Sequence, residues 1–193
     1  MSTHNPSTPR TPPRGPGAEA VPGGPQVPRV GGVAGGVGTT TVAALLQATD
    51  AGIITAQSTT PVQVLVCRST ASSVHAAVTL AARLPLSPVL VVVADCGDRP
   101  PSTVRHRLRM AEPNLAALVL LPWWPSLREA DDPATRVRTV AWGEAAPTRS
   151  ERSLPGVLDA LVAAVTPLVT APQARAQAPP EADDTPTAFS HVS

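Results

Sequence analysis

Three apolar runs constrain this chain most: QVLVC at Gln63–Cys67, VLVVVAD at Val89–Asp95 and LAALVLL at Leu115–Leu121. None alternates apolar with polar residues. A strand of that kind buries both faces, as parallel strands do under helices. Helix-period stretches lie between the runs. Ser69, Thr70 and Ser72 offer N-caps to a face of Val74, Ala77, Val78 and Ala81. Pro100 and Pro101 lead into a face of Val104, Leu108 and Ala111. A first strand is expected within Val27–Val33. A helix is expected over Thr39–Thr49, with Val42, Leu45, Leu46 and Thr49 on one face and Gly52 as its stop. Trp123–Arg152 reads as an extended loop holding a short helix around Ser126–Ala130. Ser153 and Pro155 open a last helix with a stripe of Leu154, Leu158, Leu161, Val165 and Leu168, limited by Pro167. This alternation predicts an α/β fold, a three-layer sandwich with a mainly parallel sheet of about four to five strands. Such sheets bind ligands at the carboxyl ends of their strands. The segment after the first strand, Cys67, Asp95 and Pro122 would meet on that edge.

That segment is VGGVAGGVGTTTVAALLQA, Val30–Ala48, a glycine-rich turn running into a helix. Backbone N–H groups of such a turn can wrap a phosphate, and the helix adds its positive end. The nucleotide-binding candidates are Gly35, Gly36, Val37, Gly38, Thr39, Thr40 and Thr41. The Thr40 hydroxyl is the candidate metal ligand, for Mg²⁺. Phosphate loops of this type place a lysine where Thr39 stands, and the chain contains no lysine. A purely architectural turn, letting the helix pack close to the sheet, is the alternative.

AGGVGTTT at Ala34–Thr41 resembles the deviant phosphate loop of the ParA/MinD family of P-loop NTPases, Lys-Gly-Gly-x-Gly-Lys-Thr-Thr. Gly35, Gly36, Val37, Gly38, Thr40 and Thr41 match. Ala34 replaces the signature lysine and Thr39 the phosphate lysine. VLVVVADCGDRPP and LAALVLLPWWPSLREADDPA are similar to the later segment of that family, where a strand ends in a base-contacting Asn. Asp95 takes that position. Asp95 also fits a second alignment, as the carboxylate of a Walker B strand serving Mg²⁺. On the first alignment the two family strands bearing catalytic aspartates have no counterpart before QVLVC. The resemblance implies a P-loop NTPase-like fold, ATP with Mg²⁺ as cofactor, and dimerisation across the nucleotide, which Ala34 puts in doubt. It also implies partitioning, septum positioning or pilus assembly as the setting.

Loss of one charge-stabilising donor in a phosphoryl-transfer site costs on the order of 3 kcal/mol, or 10² to 10³ in rate. The expected function is therefore that of an accessory or regulatory protein with weak or no nucleotide binding and no efficient hydrolysis, working with a protein partner. One alternative is a slow ATPase in which an arginine, among Arg99, Arg105 and Arg109, replaces the lysine. Another is a nucleotide-free interaction module that uses Trp123 and Trp124 in a chain with four aromatic residues.

Composition bounds the rest. Met1–Gln26 and Ala171–Ser193 are rich in Pro and small residues, so disordered tails are expected around a domain at Val27–Thr170. Net charge is +1 and every cation is Arg. That balance gives no general drive towards nucleic acid or anionic membrane. Abundant Ala, Pro and Arg without Lys point to a bacterial genome rich in G and C. Cys67 and Cys96 are expected to be small buried residues, and the scattered histidines give no metal spacing. No run approaches ~18 apolar residues and no signal-type segment opens the chain, so a cytoplasmic location is expected.

Overall fold

The computed structural model describes residues 26–97 and 99–170. The two expected tails, apart from Gln26, lie outside the described residues. Five strands form one all-parallel sheet in the order β2-β1-β3-β4-β5. They are β1 (Arg29–Gly32), β2 (Thr49–Ile53), β3 (Val64–Arg68), β4 (Val89–Val93) and β5 (Ala117–Leu121). The helices are α1 (Thr39–Leu46), α2 (Ala71–Ala81), α3 (Ser102–Ala111), α4 (Ser126–Glu129), α5 (Pro133–Ala141) and α6 (Leu154–Thr170).

The apolar runs divide their side chains between two cores. Val64, Val66, Val89 and Val91 pack under α1, α5 and α6, against Leu45, Val137, Val140 and Leu161. Leu65, Cys67, Leu90 and Val92 face the other way, onto Val74 and Ala77 of α2 and Val104 and Leu108 of α3. A period of two on a sheet covered on both faces makes a continuous apolar run. The result is the expected three-layer sandwich. Thr70 is the cap that α2 uses, its hydroxyl accepting from the Ser73 N–H at 3.3 Å.

Three expectations are corrected. The first concerns α1, which ends at Leu46 rather than Thr49. Gln47 turns left-handed (φ 51°), and the Ala48 N–H returns to the Ala43 carbonyl at 2.8 Å. The chain then re-enters the sheet as β2, with the Thr49 N–H on the Pro28 carbonyl at 2.9 Å. Gly52 is thus an irregular strand position (φ 71°) and not a helix stop. A short strand therefore occupies the interval expected to hold none, and it carries Asp50. The second concerns 123–152, which holds α5 besides the expected α4. Asp132 caps α5 by accepting from the N–H groups of Ala134 and Thr135, both at 3.1 Å, and Pro133 occupies its first turn. The third is that Pro167 lies inside α6, which continues to Thr170. The helical stretch Ser150–Thr170 is also long and apolar enough to cross a membrane, with mean hydropathy 1.6. Its stripe of Leu154, Leu158, Leu161 and Val165 is buried in the core.

Gly32 shows how closely the loop folds back on β1. A Cβ there would stand 2.2 Å from Thr39 Oγ1, 2.8 Å from Val37 Cγ2 and 3.2 Å from the Ala34 carbonyl oxygen. Gly32→Ala is expected to cost about 1–3 kcal/mol by overpacking, read as a lower urea midpoint. An unchanged midpoint would mean that Thr39 and the loop yield freely.

Candidate functional site

The loop between β1 and α1 lies at the carboxyl edge of the sheet. Gly38 holds φ 98°, a conformation glycine reaches without a Cβ penalty, and it is the N-cap just before α1. Neither a side-chain cap nor an acidic first-turn residue neutralises this end. The first turn of α1 therefore keeps N–H groups without intrahelical partners, together with the positive end of the helix dipole.

A cavity opens on each side of the loop. One, of about 350 Å³, is lined by Gly35, Gly36, Thr39, Thr40 and Asp50. Here the Thr40 hydroxyl donates to Asp50 Oδ2 at 2.7 Å, while Asp50 Oδ1 accepts from the Gly52 N–H at 2.8 Å. The irregularity of β2 at Gly52 therefore braces the carboxylate against the loop. The other cavity, of about 270 Å³, lies between the loop and the ends of β3, β4 and β5, and is lined by Arg68, Asp95, Pro122, Trp123 and Trp124.

Arg68 joins the loop to Asp95. Its Nε and Nη2 both donate to the Gly36 carbonyl oxygen, at 3.0 and 2.6 Å, and Nη1 donates to Asp95 Oδ1 in an ion pair. The buried Ser69 hydroxyl accepts from the Asp95 N–H at 3.0 Å and fixes its backbone.

The far wall of this second cavity rests on a buried carboxylate. Glu151, fully buried, accepts from Arg136 Nε and Nη2 at 3.1 and 2.7 Å, from Ser126 Oγ at 2.9 Å and from the Thr148 N–H at 2.8 Å. The Arg136 hydrogen bonds outweigh burial and hold its carboxyl at about 2. The same segment carries Ser153, whose Oγ accepts from Trp124 Nε1 at 3.2 Å. Trp124 is buried, whereas Trp123 is half-buried at the rim, with the Arg128 guanidinium 4.7 Å from its ring centroid.

The structure thus brings Gly36, Val37, Gly38, Thr41, Asp95, Trp123 and Trp124 around one cavity, and Gly35, Gly36, Gly38, Thr39, Thr40 and Thr41 around the other. Arg99, Arg105 and Arg109 line neither. Cys67 does not reach the edge: it is buried under α2 and α3, and burial pushes its thiol up to about 12. Cys96 is exposed, against expectation, because β4 ends before it. Sequence reasoning missed Arg68, Asp50 and Glu151. Arg68 directly follows an apolar strand, and Asp50 precedes Gly52 in TDAG; both are edge signals of a weak kind.

Comparison with protein-family models, curated proteins and solved structures gives no match for the chain.

Proposed function

We propose that this chain is a degenerate P-loop-type protein, of the kind its loop resembles in the ParA/MinD family, that binds a nucleotide weakly through residues 35–41. It acts as an accessory or regulatory protein through binding, with a protein partner, and not through turnover. The observation that carries this reading is the pairing of Thr40 with Asp50 on one side of the glycine loop and a ring-sized cavity on the other. A nucleotide needs both: hard oxygens for the metal next to its phosphates, and room for its base beyond them.

A hydroxyl and a carboxylate 2.7 Å apart fit Mg²⁺, which takes few protein ligands and completes its shell with phosphate and water. The ion would supply charge neutralisation between phosphate oxygens. Among the described residues there is no group of three or more His, Cys, Asp and Glu able to hold a metal unaided, so the phosphates would have to supply the rest. On this reading Asp50 serves the metal, and Asp95 lies on the base side. Hydrolysis is inefficient because no lysine reaches the phosphates and Arg68 is already committed to Gly36 and Asp95.

Trp123 remains a candidate partner contact at the rim. The burial of Trp124 leaves it little surface to offer.

Calorimetric titration with ATP, ADP and GTP, each with Mg²⁺, tests the reading beside a Gly36→Asp control and a phosphate-release assay. The control places a carboxylate at the loop, beside Arg68 Nη2, at a left-handed position (φ 71°). Saturable wild-type binding, abolished in the control and without appreciable release, is expected. No wild-type binding at millimolar nucleotide would refute it.

A further inference from the structure

We infer that Arg68 is the positioning residue of the glycine loop, and that Asp95 sets how much positive charge the loop presents. The inference rests on the nucleotide reading above and adds the control of that site. Arg68 sits at the end of β3, and its guanidinium grips one loop atom twice: Nε and Nη2 both donate to the Gly36 carbonyl oxygen. The peptide from Gly36 to Val37 is trans, so its C=O and N–H point to opposite sides. Drawing the carbonyl towards Arg68 at the end of β3 therefore turns the Val37 N–H away from Arg68. A loop without lysine depends on such N–H groups for anion binding, and one peptide flip would present a carbonyl oxygen instead.

The third donor reports on charge. Nη1 is ion-paired with Asp95 Oδ1, and the Asp95 backbone is pinned by Ser69. The carboxylate orients the guanidinium while offsetting part of its charge. Two consequences of opposite sign follow. Removing the guanidinium frees the 36–37 peptide and weakens anion binding. Converting Asp95 to Asn keeps an oxygen for Nη1 but removes the negative charge, so anion binding strengthens. A merely structural ion pair would move stability in both variants and affinity in neither.

The test uses the full chain and inorganic tripolyphosphate with Mg²⁺, a probe without a base, so that any base contact of Asp95 plays no part. Calorimetric affinity and Tm are measured for wild type, Arg68→Ala, Arg68→Lys, Asp95→Asn and the double variant. Arg68→Ala should lose about tenfold or more in affinity, the scale of hydrogen bonds to a charged group. Arg68→Lys, with charge but no fork, should recover only part. Asp95→Asn should gain severalfold, and the gain should vanish in the Arg68→Ala background. Wild-type binding that Arg68→Ala leaves intact would overturn this inference while sparing the nucleotide reading. Absence of wild-type binding to both tripolyphosphate and ATP would overturn both.

Discussion

Glu151→Ala is expected to lower the unfolding free energy by about 3 kcal/mol, the upper scale for losing hydrogen bonds to a buried charged group, because the Arg136 guanidinium left behind is partly exposed. The carboxylate is fully buried and accepts two hydrogen bonds from Arg136, one from the Ser126 hydroxyl and one from the Thr148 N–H. Alanine would leave the Arg136 guanidinium without its carboxylate, and α4, α5 and the entry to α6 would lose their common tie. At a few degrees per kcal/mol for a domain of this size, Tm should fall by roughly 10 °C. Glu151→Gln, which keeps part of the geometry, should fall less. Equal melting of wild type and Glu151→Ala would contradict the assignment.

The same group fixes an acid limb of stability. Its folded-state value, about 2, lies below the usual glutamate value near 4.3. Its contribution is therefore complete above the unfolded value and is lost as pH falls through the folded one, between roughly pH 5 and pH 2. At most ~3 kcal/mol is involved. Urea unfolding across that window should show wild type converging on Glu151→Gln as pH falls.

The second large effect is metal dependence. If Thr40 and Asp50 hold Mg²⁺ beside phosphate, the ion and the nucleotide must strengthen each other's binding by the same factor. Adding Mg²⁺ in place of EDTA should raise wild-type ATP affinity about tenfold or more. Asp50→Asn should abolish most of that gain while leaving metal-free binding nearly unchanged. The variant keeps a side-chain oxygen for the Gly52 N–H, so β2 should hold its irregular form. An undiminished Mg²⁺ effect in Asp50→Asn would remove Asp50 from the site and leave Thr40 without its carboxylate partner.

The fold was legible wherever burial wrote it into composition. The runs of β3 and β4 announce themselves because both faces of the sheet are covered there, whereas β5, at one edge of the sheet, is equally apolar but only part-buried and leaves Leu120 exposed. β2 does not announce itself: it is the other edge strand, of sequence TDAGI, mostly exposed, held by backbone pairing with β1 that leaves no apolar signature. Asp132 followed by Pro133 did signal the start of α5, but its short apolar face was lost among Trp123–Arg152. The candidate site divides the same way. Loop residues 35–41 were readable because glycine and threonine spacing is local. Arg68 was not, since its partners lie 32 and 27 residues away and depend on β1, β3 and β4 lying side by side. Glu151 looks like a surface charge in SERS, and only its meeting with Arg136 makes it a buried one. Arg99, Arg105 and Arg109, offered as replacements for the lysine, line neither cavity, because proximity to the loop is a property of strand order.

The central claim, that residues 35–41 still cradle phosphate, is tested most directly by following backbone amide resonances of the ¹⁵N-labelled chain as ATP and Mg²⁺ are added. The account predicts saturable shifts largest at the amides of Val37, Gly38, Thr39, Thr40 and Thr41, with smaller ones at Asp50 and Trp123. Unmoved loop amides at millimolar nucleotide, or shifts confined to a surface away from the loop, would contradict it.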